Sequence, residues 1–132
     1  MSKNVLFVEN KNSSKLVVYF SSAGAKSFEG YSLLSKYQSN KLFIRDDLKT
    51  WYNGIIPKVS TSADSMLEYL QPIIEKFSKN DIIFLGSSMG AYAAILFGIK
   101  LEIGKVIAFS PQIGGRRGRK SMDTPTETGT AL

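Results

Sequence analysis

The chain has 132 residues, 43% of them hydrophobic and 21% charged, which suits one globular domain around a single core and excludes a disordered chain. It has no Cys, which excludes disulfides, thiolate catalysis and Cys-based zinc sites, and no His, the residue a catalytic serine normally uses as its base. The net charge of +6 is unevenly spread, with Arg116, Arg117, Arg119 and Lys120 clustered near the C-terminus.

Two apolar runs open the chain, Val5 to Val8 and Leu16 to Phe20, separated by the polar, turn-forming stretch Glu9 to Lys15. This pattern predicts an antiparallel β-hairpin with a long loop. The second run ends in Ser21-Ser22-Ala23-Gly24-Ala25-Lys26-Ser27. Small residues after a strand indicate backbone held close to something. A phosphate loop is excluded on detail, because an Ala separates Gly24 from Lys26 and the first Gly of that motif is missing. Half of an oxyanion hole, donated by the Phe20 to Gly24 loop, fits better, with a plain tight connection as the alternative. Phe28, Tyr31, Leu34 and Tyr37 recur every third residue and predict a short amphipathic helix ending near Asn40.

Leu42 to Ile44 form the next predicted strand, followed by Arg45-Asp46-Asp47 and then Trp51-Tyr52. Charge and aromatics after a strand suggest a loop at the carboxyl edge of a sheet, where open α/β sheets bind ligands. Trp51 and Tyr52 fit core cover better than substrate contact. Asp46 is either site-lining or a carboxylate paired with a nearby Lys or Arg. Ser60-Thr61-Ser62 offers helix N-caps, with Asp64 in the first turn. Met66, Leu67, Leu70, Ile73, Ile74 and Phe77 follow a helical stripe that Pro72 should kink or split.

The chain then reads Ile82-Ile83-Phe84-Leu85-Gly86-Ser87-Ser88-Met89-Gly90-Ala91-Tyr92-Ala93-Ala94. An apolar run without alternation predicts a strand buried on both faces. The apolar run from Ala91 to Phe97 predicts a helix packed under the sheet. Between them stands Gly-x-Ser-x-Gly, the spacing of a nucleophile elbow, with Ser88 at its centre and Gly86 and Gly90 two positions away. The flanking glycines are needed where strand and helix pass closely. The backbone N–H of Met89 would then face a developing oxyanion. A bare motif of this kind arises often by chance, and the strand before it and the helix after it are what give it weight. Gly98 to Gly104 provide an exit, Lys105 to Phe109 a last strand, and Ser110-Pro111-Gln112 its end.

The expected domain is 1–113. Residues 114–132 are basic and poor in large apolar groups, and are expected to be disordered. That cluster is read as a solvated tail in preference to a nucleic-acid contact, since no aromatic residue accompanies it to stack on a base. Absence of a leader pattern and of a membrane-length apolar run predicts a cytoplasmic protein that neither enters nor needs a membrane. No motif asks for a cofactor or a metal. After the hairpin, strands and helices alternate, which predicts an α/β fold with a mostly parallel sheet of about five strands and helices on both faces.

Four segments together resemble the α/β-hydrolase superfamily, and more narrowly a group of bacterial α/β-hydrolase-like proteins. They are Phe20-Ser21-Ser22-Ala23-Gly24, Ile44-Arg45-Asp46 with Trp51-Tyr52, Gly86 to Ala94, and Ala108-Phe109-Ser110-Pro111-Gln112. The resemblance covers about the first 113 residues. It implies a three-layer sandwich, present in part, with Ser88 as nucleophile and the N–H groups of Met89 and Ser22 as oxyanion donors. Ser21, Ala23, Gly24, Asp46, Trp51 and Tyr52 would line the site. The implied substrate is an ester, thioester or other small acyl compound. The family's acid and His follow later strands, so the chain is expected to be truncated after the strand that follows the elbow helix. Asp123 falls in the tail, where nothing positions it, and Lys26, close after the oxyanion loop, is the one candidate for a substitute base. Such a form would be inactive or weak, and Val106 to Phe109 would become an exposed edge open to self-association or to a complementary chain.

Overall fold

The computed structural model describes residues 4–22, 27–46, 52, 54, 56 and 59–109. The predicted tail, the Ser110-Pro111-Gln112 segment, Ala23, Gly24, Lys26 and Trp51 lie outside these described residues. Five strands form one sheet: β1 (Val5–Val8), β2 (Leu16–Phe20), β3 (Asn40–Ile44), β4 (Ile82–Ser87) and β5 (Lys105–Phe109), in the order β1-β3-β2-β4-β5. β2 pairs in parallel with β3 and β4, and β4 in parallel with β5, while β1 runs antiparallel to β3.

The antiparallel strand is therefore where the sequence placed it, but its partner differs from a hairpin's. β3 lies between β1 and β2. The burial of each strand explains the order. Every residue of β2 is buried, as a central strand requires, whereas β1 is fully buried only at Val5 and suits an edge. The connector between them crosses the start of β3 and is fastened there by Asn40. The Asn40 Oδ1 accepts the Asn10 N–H at 2.7 Å, and its Nδ2 donates to the carbonyls of Ser13 at 3.0 Å and Lys15 at 3.1 Å.

Two helices, α1 (Ala63–Ile74) and α2 (Met89–Lys100), both pack on one face of the sheet. That face contributes Leu16, Val18, Phe20, Ile44 and Phe84 to the main core, where Phe20 meets the rings of Phe84 and Phe97 at 5.4 and 5.8 Å. α1 begins at Ser62, whose side chain and that of Ser65 cap each other's backbone reciprocally. The helix is not split at Pro72 but runs through it to Ile74; the proline sits in the last turn on an exposed surface, where the carbonyl it leaves unbonded is open to water.

The opposite face carries Val17, Tyr19, Phe43 and Leu85, covered by Phe28 and Leu34. The third layer is thus present, but as consecutive turns rather than the predicted helix. Gly30 is the reason. Its φ of +85 breaks the helical path, and a β-carbon there would lie 2.6 Å from the Tyr19 ring, so the chain crosses Tyr19 where only glycine fits. Tyr31 and Phe28 still deliver their rings to Phe43, at 5.5 and 6.3 Å. No helix among the described residues is long and apolar enough to cross a membrane.

Candidate active site

β4 runs without a loop into α2, and Ser88 is the single residue between them. It holds φ 58 and ψ −120, a conformation that costs a non-glycine residue about 1–3 kcal/mol. The strain is imposed from both sides. The Ser88 N–H donates to the Phe109 carbonyl at 2.9 Å, which keeps the residue on the β4–β5 ladder, while its carbonyl already accepts from Ala91 N at 3.0 Å in the first turn of α2. The two glycines are required by contact. A β-carbon on Gly86 would sit 2.2 Å from the Gly90 carbonyl oxygen, and one on Gly90 would sit 1.9 Å from that of Phe20. Neither contact can relax, since all the crowded atoms are backbone.

Ser88 is half-buried and its side chain makes no capping hydrogen bond to α2. Met89 is the first residue of α2, so its N–H has no intrahelical acceptor. The positive end of the helix is directed the same way. The close approach of Gly90 to Phe20 and Ser21 sets this helix start against the loop that leaves β2.

That loop is pinned at several atoms. The Ser21 N–H donates to the Ile44 carbonyl at 2.9 Å, extending the β2–β3 ladder by one residue. The Ser21 carbonyl accepts the Tyr52 hydroxyl at 2.8 Å, and the same hydroxyl reaches the Ile44 carbonyl at 3.1 Å. Tyr52 is fully buried, with its ring edge-on to Phe20 at 5.5 Å, and its N–H donates to Asp46 Oδ2 at 2.9 Å. Burial first, and then the charges of Asp46 and Glu29, push the Tyr52 phenol well above its usual range, so it is a neutral donor. Tyr52 thus holds the Ser21 carbonyl from within the core, and Asp46 holds Tyr52. Asp46, also fully buried, takes up a backbone N–H.

Ser22 is the loop's other functional candidate, and its N–H is engaged. It donates to Glu29 Oε1 at 2.9 Å, the Ser22 hydroxyl donates to Glu29 Oε2, and the Glu29 N–H returns a bond to Ser21 Oγ at 3.2 Å. Glu29 was not among the residues expected at this edge. The one available signal was composition, since it is the only acidic residue between Glu9 and Asp46. Among the described residues, the structure thus gathers Ser21, Ser22, Glu29, Asp46 and Tyr52 into one cluster, with Ser88, Met89 and Gly90 against it through the Gly90 contact. No hydrogen bond joins the Ser88 hydroxyl to a titratable side chain among them, and no group of acidic side chains there could hold a metal ion.

No family model matches the chain, and neither does any curated protein. Solved structures do. A Glycosylation Associate Protein (Gap123) complex from Streptococcus agalactiae is 28% identical with a TM-score of 0.66, over 82% of this chain and 21% of that one. The capsule O-acetyltransferase of Neisseria meningitidis serogroup A, in complex with CoA, is 20% identical with a TM-score of 0.64, over 82% of this chain and 47% of that one. A Bacillus cereus carboxylesterase is 17% identical with a TM-score of 0.58, over 88% of this chain and 63% of that one. The chain spans less than two thirds of the length of each. From the parallel core strands, the flanking layers and these likenesses, we conclude that the chain has an α/β-hydrolase-type fold, present in part.

Proposed function

We propose that Ser88 is the nucleophile of a serine-hydrolase-type acyl-transfer site, acting on an ester, thioester or other acyl group. The observation that carries this reading is the backbone of Ser88, φ 58 and ψ −120, held between strand and helix by two glycines that tolerate no side chain. A strained serine persists where its surroundings over-determine it, and such positions cluster at sites of chemistry. In the proposed reaction the Ser88 oxygen attacks the acyl carbon, and the carbonyl electrons move onto oxygen. The Met89 N–H, and the Ser22 N–H once free, would hold that oxyanion. Its collapse expels the alcohol or thiol and leaves an acyl-serine, which water then cleaves.

The Ser88 proton needs an acceptor. These 132 residues contain no His, so an imidazole base would come from outside them. Without one, the oxyanion donors and substrate binding alone leave about 10³–10⁴-fold over water. Reaction with a fluorophosphonate, followed by peptide mass analysis, tests the reading. Slow modification of Ser88 that disappears in Ser88→Ala is expected. Equal modification of the Ser88→Ala protein would defeat it.

A second reading is association through β5. Ile107 and Phe109 are 39% and 42% exposed, on the sheet face opposite α2, and among the described residues β5 pairs only with β4. That the first of the similar structures above is a complex also favours it. A complementary chain at this edge could also bring the base.

A further inference from the structure

Ser22 offers two donors, and both are used by one carboxylate. Its N–H goes to Glu29 Oε1 at 2.9 Å and its hydroxyl to Glu29 Oε2. Charge-assisted bonds of this kind are about twice as strong as neutral ones. Both carboxylate oxygens of Glu29 are therefore taken up by Ser22. The Ser22 N–H does not depend on Glu29 for its direction. Ser21, one residue earlier, is fixed at its N–H by the Ile44 carbonyl and at its own carbonyl by the Tyr52 hydroxyl. The peptide between Ser21 and Ser22 carries the Ser22 N–H, so that donor is held by β3 and by the buried tyrosine. It would stay in place if the carboxylate left.

We propose that the Ser22 N–H and hydroxyl form an anion-binding site that the chain fills with its own Glu29 carboxylate. The ligands it fits are the oxygen of an acyl group as it gains charge, and small carboxylates. In the resting protein the site is closed, and a ligand enters it by displacing Glu29. The link to acyl transfer rests on Ser88 being the nucleophile; the occupancy of Ser22 by Glu29 does not. The loop thereby adds a gate to the elbow. The Met89 donor has no acceptor within its helix, and the Ser22 donor opens when Glu29 moves aside.

The test follows the Ser22 amide by ¹⁵N–¹H NMR in the whole chain, with sodium acetate as the probe ligand. In the wild-type protein this amide proton should lie downfield and ignore acetate. In Glu29→Ala it should move upfield, and added acetate should return it downfield in a saturable manner. Removal of the internal anion should also speed fluorophosphonate labelling of Ser88 by about tenfold, the worth of one such bond. An amide that does not move on substitution overturns the proposal, and so does equal acetate binding by both proteins. If Glu29→Ala loses its fold, Glu29→Gln retains the size and drops the charge. The same upfield movement is expected of it, and an unchanged amide contradicts the proposal. Absence of labelling in every variant counts against Ser88 as nucleophile, and the amide shifts still decide the anion site.

Discussion

Ser88 sits in a conformation that a glycine adopts freely. Ser88→Gly should therefore raise the stability of the chain by about 1 kcal/mol in a denaturant titration, after the entropy glycine adds to the unfolded state is set against the strain relieved. A loss of stability of that size would show that the backbone is not strained. Tyr52 makes a second prediction. Its phenol is raised well above the usual range, so the folded chain keeps that proton more tightly than the unfolded chain. This contribution to stability is intact below about pH 10, where an unfolded tyrosine holds its proton, and falls as pH climbs past it. Tyr52→Phe should flatten the alkaline part of the stability profile, leaving the smaller same-sign effects of Tyr19 and Tyr69. At neutral pH it should cost about 1–3 kcal/mol, because the Ser21 carbonyl loses its buried donor. An unchanged alkaline profile would contradict this. The sharp strand-to-helix turn at Ser88 was legible in the sequence because the glycines two positions either side announce it. Glu29 was not, since its bond to Ser22 depends on how the chain turns back at Gly30.

At the scale of elements, the elbow is a contact between β4, α2 and the end of β2. Gly86→Ala and Gly90→Ala each place a methyl within 2.2 Å of a backbone oxygen, and each should destabilise by about 3 kcal/mol or more. Gly104→Ala is the control, since a β-carbon there meets nothing within 4 Å, and it should stay within about 0.5 kcal/mol of wild type. Thermal or chemical denaturation separates these outcomes, and equal effects at all three positions would contradict the close-packed elbow. The strands were readable because their apolar runs are short and bounded. Their order was less so. A polar connector after an apolar run looks like a hairpin loop, and the fastening of Asn40 to Ser13 and Lys15 that admits β3 between β1 and β2 is long-range in sequence. The stripe Phe28, Tyr31, Leu34 and Tyr37 correctly marked a segment that covers the sheet. Its spacing could not reveal that Gly30 must pass over Tyr19, which turns a helix into a chain of turns.

For the whole molecule, the parallel sheet could be read from the alternation of strand and helix. The chain matches only part of the length of each of the solved structures it resembles. The exposed faces of Ile107 and Phe109 on β5 lead to a prediction at this scale. Light scattering after size-exclusion chromatography should show concentration-dependent association, reduced in Ile107→Lys, since a charge on an edge strand opposes pairing. A monomer throughout the concentration range would remove the association reading. The acyl-transfer reading is tested most directly by the rate of Ser88 modification by a fluorophosphonate as imidazole is added to the folded chain. Slow labelling confined to Ser88 is expected, accelerating with imidazole in a chain that has no His, with no such labelling of Ser88→Ala. A folded chain whose Ser88 stays unmodified at every imidazole concentration would contradict that reading.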